Sequence, residues 1–318
     1  SGLVLQINAA NDYAVPAGST FTFPSSTTLG GSNFYSIHIK QQPAGKTCTI
    51  TNAIGVVGIN LPNPNNAAVT CVDSGANGLS GTYRPVMVNG ESFTDGRAFL
   101  TFNPDGTYIF GIHSSDPDCG ASNGDGLEYG AYRWNQTTHA FVFANVVLDT
   151  NGDCGMANDG DPGAGGTLVR NGDGTLSTDT LDTNGSGDHV LITWAPVPSN
   201  AGELVGSWGD NQVFFVYSSQ GTVFSADTRA NAVLTAGAPG IEDGCYALSG
   251  TLASGSYVID LSGTCAVNGQ QTAVDTTGTN GFSAWGSGAW PFTVTGDSMQ
   301  RTLPGTAFSF TELRIKPN

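Results

Sequence analysis

The same marks occur twice, in the same order, along this chain. Leu79-Ser80-Gly81-Thr82-Tyr83 is answered by Leu204-Val205-Gly206-Ser207-Trp208. Gly126-Leu127-Glu128-Tyr129-Gly130 returns as Gly240-Ile241-Glu242-Asp243-Gly244, and Gly172-Asp173-Gly174-Thr175-Leu176 as Gly296-Asp297-Ser298-Met299. An internal duplication of about 120 residues accounts for the pattern. Between the marks run short apolar stretches with a two-residue period, each closed by Gly, Pro, Asn or Asp, and no helical period lasts more than a turn or two. The expected fold class is all-β. The expected domains are a β-sandwich module over 1–72, a first β unit over 79–195 and a second over 202–318. The copies read equally well as two small antiparallel barrels or sandwiches and as halves of one larger structure.

Local patterns place the strands. Phe102-Asn103-Pro104-Asp105-Gly106-Thr107-Tyr108 is a hairpin turn between Ala98–Phe102 and Thr107–Phe110. Its counterpart joins Val213–Tyr217 to Thr222–Ser225. Tyr129–Trp134 and Ala140–Leu148 form the next pair. The last strand, Phe308–Ile315, alternates, with Phe308, Phe310 and Leu313 as the residues expected to pack inward. Ala195-Pro196-Val197-Pro198-Ser199-Asn200 joins the copies and is too short and proline-rich for a loose tether.

Charge restricts the partners. The formal net charge is −16, with only 10 Lys and Arg. Nucleic acid demands basic patches that neutralise phosphate, so it is excluded, as are anionic membrane surfaces. No apolar run of about 20 residues is present, so no transmembrane helix is expected. The chain opens directly in strand-like sequence, and any leader is expected to have been removed. Six cysteines allow about fifteen full pairings, and the expected one follows the chain as 48–71, 119–154 and 245–265, one bridge per unit. Disulfides point to an extracellular or bacterial outer-surface location.

Among candidate sites, the acidic loop after Leu148 is the strongest. Asp149, Asn151 and Asp153 alternate oxygen ligands as at the start of a calcium loop, and Asp159 and Asp161 complete a non-standard shell. Calcium is therefore the expected cofactor, although Gly160 stands where a calcium hand carries its glutamate. Catalytic patterns are lacking: His113, His139 and His189 accompany no nucleophile elbow, and Glu128 and Glu242 are repeat equivalents with one shared structural role. The expectation is a protein that is not an enzyme. Trp285 and Trp290, in a Gly-rich run, offer either a glycan platform or core packing.

Two resemblances add to this. Residues 1–72 resemble a repeat module of secreted and lipid-anchored bacterial surface proteins, on Gly2-Leu3-Val4-Leu5-Gln6, Phe21-Thr22-Phe23, Gln42-Pro43-Ala44-Gly45-Lys46-Thr47-Cys48 and Val69-Thr70-Cys71. That likeness implies a surface location and a structural role. The family's module carries one more strand before Gly2–Gln6, so Leu3–Ile7 is expected to border an open groove. A strand from another subunit, such as Phe308–Ile315, would fill it and propagate a filament. The duplicated region, with Gly-Thr-Tyr or Gly-Ser-Trp before a Phe-rich strand, a turn and another strand, resembles lipocalin-like and related bacterial β-barrels. The functional expectation is a structural or adhesive surface protein, calcium-stabilised and self-associating or joined to other surface proteins. The alternatives are a glycan- or small-molecule-binding barrel and, behind it, a secreted hydrolase.

Overall fold

The computed structural model describes residues 2–7, 10–16, 34–41, 43, 46–51, 54–56, 67–73, 78–93, 97–103, 106–113, 126–151, 155–156, 165–181, 189–210, 212–228, 239–260, 265–267, 270–272, 288–307 and 309–317. Every regular element among them is a strand. None of the described residues forms a helix long and apolar enough to cross a membrane.

The N-terminal unit contains β1 (Val4–Ile7), β2 (Ala10–Ala14), β3 (Phe34–Gln41), β4 (Lys46–Thr51), β5 (Ile54–Val56) and β6 (Ala68–Asp73). β2, β1, β3 and β5 form one sheet in that order, and β4 pairs with β6. Leu3, Leu5, Ile7, Ile37 and Cys48 make a small buried core. A disulfide joins Cys48 to Cys71, which face each other across β4 and β6. Cys245 is also disulfide-bonded, while Cys119 and Cys154 lie outside the described residues. One expectation is corrected here. β1 borders no open groove: β2 folds back antiparallel on one side of it and β3 pairs on the other, so its backbone groups are already matched.

The duplicated region resolves into two closed barrels, one per copy. The first uses β7 (Gly81–Val88), β9 (Arg97–Phe102), β10 (Thr107–His113), β11 (Gly126–Trp134), β12 (Ala140–Asp149), β13 (Gly166–Arg170), β14 (Leu176–Leu181) and β15 (His189–Pro196), with β8 (Glu91–Ser92) as a short flap on β7. β15 pairs back onto β7 and closes the ring. The second uses β16 (Gly206–Gly209), β17 (Val213–Tyr217), β18 (Thr222–Asp227), β19 (Gly240–Gly250) and β20 (Ser254–Asp260). A side ribbon of β21 (Cys265–Val267) and β22 (Gln270–Thr272) intervenes. β23 (Ala289–Thr295), β24 (Ser298–Thr302) and β25 (Ser309–Arg314) complete the ring, β25 pairing with β16. The C-terminal strand thus closes its own barrel and is not a free donor for a neighbour. Both barrels run up and down with antiparallel next-neighbour pairing, which leaves no sheet edge.

The turns repeat as the sequence does. Gly106 and Gly221 each sit at φ 86°, donating their N–H to the carbonyls of Asn103 and Ser218. Only glycine takes this backbone geometry without strain. One strand further on, the N–H groups of Tyr132 and Tyr246 bond to the carbonyls of Gly106 and Gly221, both at 2.8 Å.

Strands facing one core alternate, as β23 does with every second residue buried. By contrast, β17 is buried at all five positions and β10 at five in succession. Their second face packs against the sister barrel. Phe99, Ile109 and Leu127 from the first barrel meet Phe214, Val216, Phe224, Ala226 and Ile241 from the second in one apolar layer. Repeat-equivalent residues touch each other there. Thr82 Oγ1 lies 2.6 Å from Ser207 Oγ. A Cβ placed on Gly111 would stand 3.2 Å from the Cβ of Ala226. Val197 N–H bonds to Thr82 O at 2.8 Å, and Ile315 N–H to Ser207 O at 2.9 Å. The barrels are therefore related by a local two-fold axis through the Thr82–Ser207 contact. One ionic contact breaks that symmetry: Arg97 donates from Nε to Asp243 Oδ2 at 2.7 Å and from Nη2 to the carbonyls of Val223 and Gly244.

Candidate functional site

An eight-stranded barrel has an interior just wide enough to be filled by its own side chains or to hold one small ligand. The first barrel is filled. Leu100, Phe102, Phe110, Tyr132, Trp134, Phe141, Phe143, Leu168, Leu176 and Trp194 form its core. Ring edges meet ring faces at Phe102–Tyr132 and Phe141–Phe143, with centroids 4.8 and 4.7 Å apart. The polar groups of these core side chains are satisfied locally. Trp194 Nε1 donates to Thr178 Oγ1 at 3.0 Å. Glu128, fully buried, accepts from the Tyr108 hydroxyl and, at 2.6 Å, from Met156 N–H. Burial first, then the Glu128 charge, drives the Tyr108 phenol far above its ordinary pKa, so it remains a donor.

The second barrel is different at corresponding positions. The shared turns, together with the strand registers, align Phe102 with Tyr217, Phe141 with Tyr257, Thr178 with Arg301 and Trp194 with Glu312. Four interior positions thus change from ring carbons, a hydroxyl and an indole to two phenols and an ion pair. Gly166 likewise aligns with Trp290.

Arg301 is central to this cluster. It projects inward from β24, where Met299 and Arg301 are buried and Gln300 between them is exposed. Its Nη2 pairs with Glu312 Oε1, and its Nη1 donates to the hydroxyls of Tyr217 and Tyr257, both at 3.3 Å. The two phenols hydrogen-bond to each other at 2.9 Å. The guanidinium carbon lies 4.1 Å from the Phe215 ring centre and 5.2 Å from that of Trp290, within cation–π range. Trp290 stacks on Tyr257 with an interplanar angle of 5°. Arg301 and Glu312 are 3% and 7% exposed, so the pair is shielded from water.

Burial opposes the Arg301 charge, but Glu312 and the two phenols outweigh it and hold its pKa above the ordinary value. Burial also pushes up both phenols, Tyr217 strongly and Tyr257 against the lowering effect of Arg301. The cluster therefore consists of one cation, one anion and two neutral hydroxyls. Nearby, Arg314 stacks on Trp208 at 3.9 Å and donates to Val205 O at 2.8 Å and to Glu203 O, tying β25 to the entry of β16.

The residues expected from sequence to hold calcium lie elsewhere. Asp149 ends β12, and its Oδ1 accepts the N–H of Asn151 at 3.2 Å. Asn151 is fully buried, and neither of its side-chain polar atoms is hydrogen-bonded to a described residue. Asp153, Asp159 and Asp161 lie outside the described residues, as do the acidic loops at 114–125 and 182–188. Among the described residues, no three of His, Cys, Asp and Glu come together as a metal shell. Trp290 is buried in the barrel and presents no outer glycan platform, and Trp285 is outside the described residues. Leu313, expected to pack inward, is exposed, whereas Glu312 and Arg314 on either side of it are buried. Charge is tolerated on that face because each group has a partner.

Periodicity missed Tyr217, Tyr257, Arg301 and Glu312 because it scores polar positions as outward. Their signal lies in residue-by-residue alignment of the two copies, and in an arginine two positions from Met299 in a chain poor in basic residues. Comparison of the chain with protein-family models, characterised proteins and solved structures found no match.

Proposed function

We propose that this is a lipocalin-like barrel protein that binds a small molecule inside its second barrel and uses its first barrel as a packed structural companion. The observation that carries this reading is the substitution of Phe102, Phe141, Thr178 and Trp194 by Tyr217, Tyr257, Arg301 and Glu312 at matching interior positions. The first barrel demonstrates that this fold closes around an apolar and aromatic core. A buried ion pair adds little net stability over such a core, because desolvation offsets its Coulomb attraction. Its retention in one copy is accounted for by recognition, since binding sites combine an apolar lining with a few convergent polar groups. The disulfide at Cys48–Cys71 and the bonded Cys245 support an oxidising, extracytoplasmic setting as part of the same proposal.

A fluorescence titration tests the reading. N-phenyl-1-naphthylamine and its sulfonated analogue, 8-anilino-1-naphthalenesulfonate, brighten on entering an apolar site. At least one should bind saturably with one site per chain, and Tyr217→Phe/Tyr257→Phe should weaken it while leaving the melting profile near wild type. Binding by neither dye, or binding indifferent to the double substitution, refutes the proposal.

A further inference from the structure

We infer that the ligand of the second barrel is an uncharged, largely apolar molecule carrying at least one hydroxyl or carbonyl group, selected by a cluster that is already electrically balanced. This inference rests on the small-molecule reading above and names the chemical class. The balance follows from the partners. The Arg301 charge is matched by Glu312, and the phenols of Tyr217 and Tyr257 carry none. An anionic ligand placed against Arg301 would leave Glu312 as a surplus buried negative charge. A cationic ligand placed against Glu312 would leave Arg301 in excess. Either surplus is costly in a water-free interior, and removing one member of a buried pair is strongly unfavourable.

The rings make the surroundings apolar. Phe215 and Trp290 lie within 4.1 and 5.2 Å of the guanidinium carbon. Trp290 stacks on Tyr257, and with Phe292 in the same core these rings surround the cluster with apolar surface. An apolar ligand body matches that lining. The tyrosine hydroxyls supply the polar contact, since each phenol oxygen both donates and accepts. Met299, fully buried in the same core, is the side chain best able to move aside, having an unbranched and adaptable thioether.

Competition at neutral pH against whichever dye binds separates the possibilities. The probes are 2-naphthol, 2-naphthoate and 2-naphthylmethylammonium, which share one ring system and differ in charge, with naphthalene as the probe lacking a polar group. 2-Naphthol should bind at least about tenfold more tightly than either ion. It should also bind more tightly than naphthalene, an advantage that Tyr217→Phe/Tyr257→Phe abolishes. Equal or tighter binding of an ion, or no advantage over naphthalene, overturns the inference and leaves the ligand-binding reading standing. No displacement by any naphthalene overturns the inference, while the dye titration alone decides the ligand-binding reading.

Discussion

Removing Glu312 while keeping Arg301 is the most informative single perturbation of the cluster. In Glu312→Leu the guanidinium, 3% exposed in the wild type, loses its paired carboxylate. Breaking a buried pair from one side costs about 3–5 kcal/mol. The Phe215 and Trp290 rings each return about 1 kcal/mol or more to a desolvated cation, but they do so in the wild type too. The two phenol contacts, at 3.3 Å, are long for compensating bonds. A loss near 3 kcal/mol is expected, which lowers the melting temperature of a barrel this size by about 10 °C. The companion variant Arg301→Met/Glu312→Leu removes both charges and leaves Tyr217 and Tyr257 bonded to each other. It should lie within about 1 kcal/mol of wild type, or exceed it, as expected when apolar side chains replace a buried pair. Urea denaturation of wild type, both single variants and the double gives the coupling energy directly. Additive losses, with the double variant worse than Glu312→Leu, would show that Glu312 does not neutralise Arg301 and would remove the basis for electrical balance.

Three further outcomes are expected. Gly111→Ala should cost about 1–3 kcal/mol by overpacking the barrel interface, where the new Cβ would lie 2.9 Å from the Phe224 ring and 3.2 Å from Ala226; Ala226→Gly should relieve part of it, and strict additivity in a thermal-melt cycle would contradict the facing arrangement. Burial raises the phenols of Tyr108, Tyr217 and Tyr257 and pushes Tyr246 up to about 12. Their contribution to stability is intact below the unfolded-chain value near pH 10 and is lost above it, by about 1.4 kcal/mol per pH unit for each such group; ultraviolet titration in which all nine tyrosines ionise reversibly near pH 10 in the folded protein would contradict this. If the loop carrying Asp149, Asn151 and Asp153 holds calcium, millimolar calcium should raise the melting temperature, and calorimetry without specific uptake would eliminate that loop as a site.

Periodicity and repetition made the barrels legible. Glycine at the hairpin tips, and aromatics two apart as in Tyr132 and Trp134, are local requirements of tight turns and pleated strands. A reader of sequence can recover them without knowing the fold. The closure of each copy on itself was not legible, because β7 pairs with β15, and β16 with β25, across the whole length of a unit. The central position of β1 escapes the sequence for a different reason: the strand that covers it is the next one along, and Ala10–Ala14 carries too little apolar alternation to be read as a strand. The cluster was least legible. Glu312 and Arg301 look like surface residues until their mutual neutralisation is seen, and neutralisation depends on two strands meeting in register.

The local two-fold axis through Thr82 and Ser207 has a consequence for how such a site can arise. In an assembly of two identical chains, any replacement enters both subunits at once. A charge introduced into one interior is introduced into the other, and the fold must survive two such events. Joining the subunits end to end removes that obligation. One half can keep its aromatic filling and hold the common face, formed by Phe99, Ile109 and Leu127, in place. The other half is then free to exchange phenylalanine for tyrosine and tryptophan for glutamate while its outer wall stays braced. Asymmetry inside the pair is thus made possible by the symmetry between its members.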